Sequence, residues 1–179
     1  MSLRQFSLQP FPTAAPLPQV EITGHIGRSP HGLTVRHTVI GQLADTVIPA
    51  KEVHPFRRDR LWEETCLELF LASRNSPHYW EFNLSPSGHW NVYRFTAYRD
   101  GMQEERAYTE LPFLVEYQPK ALTLTMDASL DQIIPFGVAV DAGICAVILD
   151  KTGQRTYWAL NHRGPQPDFH RRDSFTMRL

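Results

Sequence analysis

Short segments in which apolar and polar residues alternate recur along this chain, and the clearest lie between residues 57 and 98. A period of two is typical of a β-strand, because successive side chains point to opposite faces of a sheet. In the segment 61–72, Leu67 and Leu69 share one face and Glu68 lies on the other. We therefore expect the leucines to belong to the core and Glu68 to lie on the second face.

The residues that follow predict a hairpin. Residues 79–84 alternate, and the tetrapeptide Ser85-Pro86-Ser87-Gly88 has proline second and glycine fourth, which is typical of a type I turn. Residues 89–99 alternate again and predict the returning strand. The stretch between residues 57 and 98 is therefore expected to form three consecutive antiparallel strands.

About ten short strands at regular spacing, with no convincing helix, predict an all-β fold. The nearly continuous apolar run at 143–150 is typical of a strand that is buried on both faces. We expect an antiparallel β-sandwich of two packed sheets, like an immunoglobulin domain or a jelly roll. Residues 1–19 are rich in proline and are interpreted as an irregular lead-in, and residues 20–179 as a single domain.

Charge and apolar content limit the classes of partner. Eighteen basic and nineteen acidic residues give a net charge of -1, so neither nucleic acid nor a membrane surface is an expected partner. The sequence shows no secretory signal and no run of about 20 apolar residues, which predicts a cytoplasmic protein. In that compartment Cys66 and Cys145 are expected to be buried free thiols. The oligomeric state stays open.

A resemblance rests on the motifs DRLWEETCLELFLA, YWEFNLSPSG and WNVYRFTAYRDG, followed by an apolar strand, TYWAL and PDFH. In this order they resemble the bacterial DOMON-like proteins, which are relatives of family 9 carbohydrate-binding modules. The resemblance covers roughly residues 20–179. It implies a β-sandwich that binds sugars, as the modules do, or haem, as some DOMON domains do.

The resemblance also implies site residues. In the modules, two tryptophans clamp a sugar, and one of them is followed six residues later by a glutamate. Trp62 and Glu68 match that spacing. Trp158 is the predicted second clamp, because it is the only tryptophan outside the central stretch, and Phe169 or His170 could replace it.

Amide and guanidinium groups pair well with sugar hydroxyls, which makes Asn83, Arg94 and Asn161 the candidate polar ligands. Trp80 and Trp90 are interpreted as scaffold, because a tryptophan in a β-sandwich is more often part of the core than of a binding site.

Three interpretations of function follow. The first is a non-catalytic domain that binds a small ligand, a carbohydrate above all, without a cofactor; calcium stays open. The second is a haem-binding domain, with Met102 and either His162 or His170 as the axial pair. The third is a structural or protein-interaction domain without a small ligand. An enzyme is not expected, because the chain has none of the hydrolase, phosphate-binding or zinc-protease motifs.

Overall fold

The computed structural model describes residues 2–179, and their regular secondary structure is almost entirely β-strand. The strands are β1 (Leu3–Pro10), β2 (Val20–Arg28), β3 (Gly32–Gly41), β4 (Cys66–Ser73), β5 (Tyr79–Leu84), β6 (Trp90–Phe95), β7 (Gln103–Glu104), β8 (Phe113–Gln118), β9 (Ala121–Ser129), β10 (Val140–Leu149), β11 (Arg155–Ala159) and β12 (Met177–Arg178). Three 3-10 turns, at Leu43–Asp45, Leu61–Glu63 and Arg172–Ser174, are the helical elements of the described residues. The all-β prediction is confirmed.

The strands pair in the order β7-β6-β5-β4-β10-β11-β1-β2-β3-β9-β8, with β12 beside one end of β10. All pairs are antiparallel, as predicted. The path is one strongly curled sheet, so a sandwich of two separate sheets is not confirmed. The half that contains β4, β5, β6, β10 and β11 is called the cavity half below.

The first strand, β1, differs from the irregular lead-in that the sequence predicts. It joins the two halves, because it pairs along most of its length with β2 and, through Gln9 and Pro10, with β11. Phe6 and Leu8 are buried on one face of this strand. The strand was not predicted because prolines lie at and after its end, and proline cannot donate a backbone hydrogen bond to a neighbouring strand.

The three strands predicted between residues 57 and 98 are confirmed as β4, β5 and β6. They pair in sequence order, and the backbone N–H of Gly88 donates to the carbonyl of Ser85 at 2.9 Å to close the turn between β5 and β6. The strand β10 is buried along most of its length between β4 and β11, as the apolar run predicts.

The core lies between the inner faces of the two halves. Leu67 and Leu69 of β4 lie in it together with Ile22 of β2 and Val35 of β3. This confirms that the leucine face of β4 belongs to the core. Burying such side chains contributes roughly 1.5–3 kcal/mol each, and the core therefore fixes which face of β4 is left for other contacts.

A second, smaller apolar cluster covers the outer face of the cavity half. It includes Phe70 and Tyr79, and it is closed by Phe175 from the loop after β11. The loop packs closely here, since a Cβ atom at Gly143 of β10 would lie 2.8 Å from the ring of Phe175. A larger residue at position 143 would therefore displace the ring of Phe175.

Within residues 2–179, no helix is long and apolar enough to cross a membrane.

Candidate functional site

A cavity of about 310 Å³ lies on the outer face of the cavity half, beneath the loop that follows β11. This volume is at the lower end of the range of roughly 300–1,000 Å³ that small-molecule sites occupy. Its aromatic lining consists of Trp62, Phe95, Tyr157 and Phe169.

Trp62 is placed by the 3-10 turn that precedes β4. Arg60 has the left-handed φ of 60°, and its backbone N–H donates to the carboxylate of Asp59 at 2.8 Å, so the chain turns sharply before the tryptophan. The indole is half-buried and meets the ring of Tyr93 edge to face, with 5.7 Å between ring centroids. The hydroxyl of Tyr93 donates to Asp59, which ties the turn to β6. Trp62 is thus held in place while part of its surface faces the cavity.

Tyr157 and Phe169 form the second aromatic group. Tyr157 lies on β11, and Phe169 lies in the covering loop with its ring 6.1 Å from that of Tyr157. Tyr157 pairs across the sheet with Val147 of β10, which also lines the cavity. In strand order, this group lies at the β11 end of the cavity half, and Trp62 with Tyr93 lies toward the β6 end.

Two buried carboxylates, Glu68 of β4 and Glu81 of β5, line the cavity between these aromatic groups. Glu68 is 2% exposed and Glu81 is 4% exposed. Adjacent strands bring them to one face, because Glu68 pairs with Asn83 and Asn83 shares the face of Glu81 two residues away. We call these two side chains the acidic floor.

The hydrogen bonds of the acidic floor are incomplete. Glu81 accepts a hydrogen bond of 2.7 Å from the side-chain amide of Asn83. The Oε1 atom of Glu68, in contrast, is buried and has no hydrogen-bond partner among residues 2–179. A buried oxygen without a partner costs free energy, and in a cavity it marks a position where a ligand donor would be favourable.

Burial shifts the protonation of both acids. It raises the pKa of Glu68 well above its ordinary value of 4.5, and the neighbouring charge of Glu81 raises the pKa of Glu68 further. Burial raises the pKa of Glu81 to about 7, although the hydrogen bond from Asn83 lowers it. Perturbed carboxyl groups in a cavity are typical of functional sites.

The covering loop is fastened to the turn after β6 by Asp168. Its carboxylate accepts a hydrogen bond from the hydroxyl of Tyr98 and forms an ion pair of 2.9 Å with Arg99. The same carboxylate accepts a hydrogen bond from the backbone N–H of His170 at 3.1 Å. Asp168, which precedes Phe169, is therefore anchored to the turn after β6 and also holds the backbone of His170, which follows Phe169.

The predicted site residues are brought together only in part. Trp62 and Glu68 line the same cavity. Trp158 does not line it, because Trp158 is 4% exposed in the core on the opposite face of β11. The two loop residues named as its replacements, Phe169 and His170, do line the cavity.

The predicted polar residues lie outside the cavity lining. Asn83 is fully buried and contacts the acidic floor through Glu81. Arg94 is exposed and donates to the side chain of Gln103 at 2.8 Å. Asn161 donates to the hydroxyl of Thr176 at 2.6 Å.

Several residues of the cavity were not predicted as ligands. The sequence contained a signal for Glu81, because it shares the parity of Asn83, which was predicted. Tyr157 had no such signal. Residues 157 and 158 are both aromatic, so the sequence does not show which of the two faces outward. The charged residues Arg99 and Arg155, both exposed, also line the cavity.

The residues considered for haem are divided. Met102 and His170 both line the cavity, whereas Nε2 of His162 lies 2.8 Å from the backbone carbonyl of Gln9, away from it. Burial lowers the pKa of His170 to about 4, so its imidazole is neutral near pH 7.

Other proteins share this fold. No family model and no curated protein matches the chain. Among solved structures, a protein from Bacteroides uniformis provisionally described as carbohydrate-binding superposes with a TM-score of 0.72 and 13% identity, over 97% of this chain and 84% of the other. A family 9 carbohydrate-binding module from Caldicellulosiruptor kristjanssonii, in complex with cellotriose, superposes with a TM-score of 0.54 and 12% identity, over 88% of this chain and 72% of the module. The likeness in fold to family 9 modules is confirmed, and the DOMON-like part of the resemblance stays a prediction.

Proposed function

We propose that this chain is a non-catalytic domain that binds a carbohydrate in the cavity. The sugar ring stacks on Trp62 and on the aromatic group of Tyr157 and Phe169, and the acidic floor orients it. The observation that carries the proposal is the cavity itself, which has aromatic residues at both ends and is lined by Glu68, whose buried Oε1 lacks a partner.

Sugars combine the two chemical properties that this lining can recognise. The C–H face of a pyranose makes apolar contact with an aromatic ring, and its hydroxyls donate hydrogen bonds to oxygen acceptors. Hydrogen bonds to an ionised carboxylate are stronger than those between neutral groups, and a carboxylate can accept from two neighbouring hydroxyls. Glu68 and Glu81 are the acceptors that the cavity offers at its floor.

The proposal assigns to Tyr157 and Phe169 the stacking role that the sequence predicted for Trp158. The register of the sheet supports this assignment. Cys145 of β10 pairs with both Glu68 and Ala159, which places these three residues on the outer face. Alternation along β11 then directs Tyr157 outward and Trp158 inward.

The fold supports the proposal independently of the cavity. The protein from Bacteroides uniformis is provisionally described as carbohydrate-binding, and the module from Caldicellulosiruptor kristjanssonii is in complex with cellotriose. We extend that chemistry to this chain because its own cavity contains aromatic rings and carboxylates, since fold alone does not determine function.

Haem is a second candidate, because Met102 and His170 line the same cavity. The acidic floor disfavours it. The propionates of haem are anionic, and two buried carboxylates would repel a second pair of anionic groups. A Soret band after adding haemin to the purified chain would support haem and contradict the carbohydrate proposal.

The experiment that tests the proposal is a titration with glucose, cellobiose, cellotriose and other oligosaccharides, followed by isothermal calorimetry and tryptophan fluorescence. We expect saturable binding of modest affinity, because the cavity is small and binding has ordering costs. The same sugars analysed after long incubation should be unhydrolysed. Absence of binding across the series would contradict the proposal, and hydrolysis would contradict its non-catalytic part.

A further inference from the structure

The acidic floor has two carboxyl groups that can carry negative charge, whereas a neutral sugar has no positive charge to pair with them. Glu68 and Glu81 are both buried, they lie on adjacent strands, and the charge of Glu81 acts directly on Glu68. Two buried carboxylates without a cation are unfavourable, since each carries a desolvation cost and each repels the other.

The neighbouring groups do not neutralise this charge. The thiols of Cys66 and Cys145 are neutral, because burial raises the pKa of each well above its ordinary value. His170 lies 3.9 Å from Glu81, yet burial holds its pKa near 4 and the imidazole is neutral at pH 7. Tyr79 and Tyr93 are phenols whose raised pKa also leaves them neutral.

The two arginines that line the cavity are both exposed to solvent, and neither forms an ion pair with Glu68 or Glu81 among residues 2–179. Arg99 is exposed and forms its ion pair with Asp168, and its charge lowers the pKa of Glu81 less than the hydrogen bond from Asn83 does. Arg155 is exposed at the start of β11. Among residues 2–179, therefore, no buried cation faces the acidic floor, and the hydrogen bonding of Oε1 of Glu68 is not satisfied.

We infer that the cavity takes a hexosamine with a free, protonated amine, whose ammonium group contacts Glu68 and Glu81 while its ring stacks on Trp62. This inference rests on the proposed function and names the class of sugar. An ammonium group supplies three N–H donors and a positive charge, which match the missing partner of Glu68 and the uncompensated charge of the pair. An acetylated amine retains a single N–H and no charge.

Proton exchange accompanies this binding. Near pH 7 and without bound ligand, burial and the mutual repulsion of Glu68 and Glu81 raise their pKa values and keep a proton on the pair. When the ammonium arrives, the carboxylic acid loses this proton to the buffer and the resulting carboxylate pairs with the ligand. Binding of the amine should therefore release up to one proton, whereas a neutral sugar binds the protonated pair without release.

The test is isothermal calorimetry near pH 7 with glucose, glucosamine and N-acetylglucosamine, and with their β-1,4-linked disaccharides. Each titration is repeated in two buffers of different ionisation enthalpy to count protons. We expect each amine to bind at least about tenfold more tightly than its neutral and acetylated counterparts, as a hydrogen bond to a charged group implies. Proton release should accompany only the amines.

Two variants test the role of the acidic floor. Glu68→Gln and Glu81→Gln keep the size of the side chain and remove the charge, and each should reduce the preference for the amine to about one while weak binding of glucose remains. Glu116→Gln is the matched control, because Glu116 lies on β8 in the other half and pairs with Arg36 at 3.6 Å. Thermal melting of each variant verifies that it is folded.

The outcomes separate the inference from the function on which it rests. Equal binding of amine and neutral sugars, or a preference for the neutral sugars, would overturn the inference and leave carbohydrate binding in place. A preference for amines that survives in either glutamine variant would also overturn it. If none of the sugars binds, both the inference and the proposed function fail.

Discussion

The hydroxyl of Tyr79 and Nδ1 of His170 lie 2.8 Å apart, which joins β5 to the loop that covers the cavity. The Tyr79 hydroxyl already accepts a hydrogen bond from the backbone N–H of Arg99, so its own proton is available for the neutral imidazole. Together with Asp168, this contact holds the covering loop over the acidic floor. The position of Phe169 therefore depends on groups that do not themselves stack on a ligand.

Removing Asp168 tests this dependence. Asp168→Ala deletes the acceptor for Tyr98, Arg99 and the backbone of His170, and we expect sugar affinity to fall roughly threefold to tenfold because the loop is less preorganised. The free energy of unfolding should fall by about 1–3 kcal/mol, because the Asp168 side chain is only 15% exposed and three donors lose their acceptor. Calorimetry and hydrogen exchange of residues 165–171 measure the two effects.

The control for that variant is Asp173→Ala in the same segment. Asp173 is exposed and, among residues 2–179, its side chain pairs with Arg171 alone, at 2.8 Å, so its loss should leave affinity and exchange unchanged. Equal loss of affinity in both variants would contradict a specific role for Asp168.

Trp62 and Trp158 should respond in opposite ways to truncation. Trp62→Ala should abolish sugar binding and lower the free energy of unfolding by less than about 2 kcal/mol, because the indole is only half-buried. Trp158→Ala should lower it by about 3–5 kcal/mol, as for a core aromatic residue. Urea denaturation and calorimetry compare them. A loss of 3–5 kcal/mol for Trp62→Ala would contradict its role as a binding platform.

Glu81 is expected to reduce stability at neutral and alkaline pH. Its pKa is about 7 in the folded chain and has an ordinary value of 4.5, so the folded state binds the proton more tightly. The stabilisation that comes from this tighter proton binding is fully present below pH 4.5 and is lost as the pH rises through 7. The loss in the free energy of unfolding is up to about 3 kcal/mol. Glu81→Gln should therefore be more stable than the parent chain at pH 8 and show a flatter profile, measured by urea denaturation. An unchanged profile would contradict this assignment.

His37 should change the pH dependence of stability in the opposite direction, destabilising the fold at acidic pH. It lies in the core on β3, both ring nitrogens lack a partner among residues 2–179, and burial lowers its pKa to about 4. Below its ordinary value of 6.5 the unfolded chain takes up a proton that the folded chain does not. Stability should therefore fall as the pH drops from 6.5 to 4, by up to about 3 kcal/mol.

The variant that isolates this effect is His37→Leu, which fills a similar volume without polar atoms. We expect it to raise the free energy of unfolding by roughly 1–3 kcal/mol at pH 7, because two buried unpaired nitrogens are removed, and by more at pH 5. His170 titrates in the same range and should retain its own share of the pH dependence. A variant no more stable than the parent at pH 5 would contradict the effect.

The parts of the fold that depend on neighbouring strands could be predicted from the sequence. The alternation in β4 and the turn after β5 are local features, and they correctly gave the leucine face to the core and the outer face to Glu68. Trp62 and Glu68 were predicted together from the spacing that the family resemblance implies; both line the cavity, and their role as ligands stays a prediction. Local pattern was sufficient wherever partner strands follow each other along the chain.

The remaining parts depend on pairing between distant strands. Whether Tyr157 or Trp158 faces outward is decided by the register between β10 and β11, and this register cannot be deduced from adjacent aromatic residues. The covering loop is positioned by Asp168 and Arg99, whose side chains meet only after the sheet has formed. Sequence spacing contains no information about such contacts.

The position of β1 between the two halves also bears on how the molecule folds. Gln9 pairs with Ala159, so this junction closes a loop that spans most of the chain. Closing so long a loop has an entropic cost and slows folding, and during synthesis the N-terminal strand is made long before its partner. We therefore expect β1 to pair first with β2 and only later with β11, which makes the cavity one of the last parts of the newly synthesised chain to form.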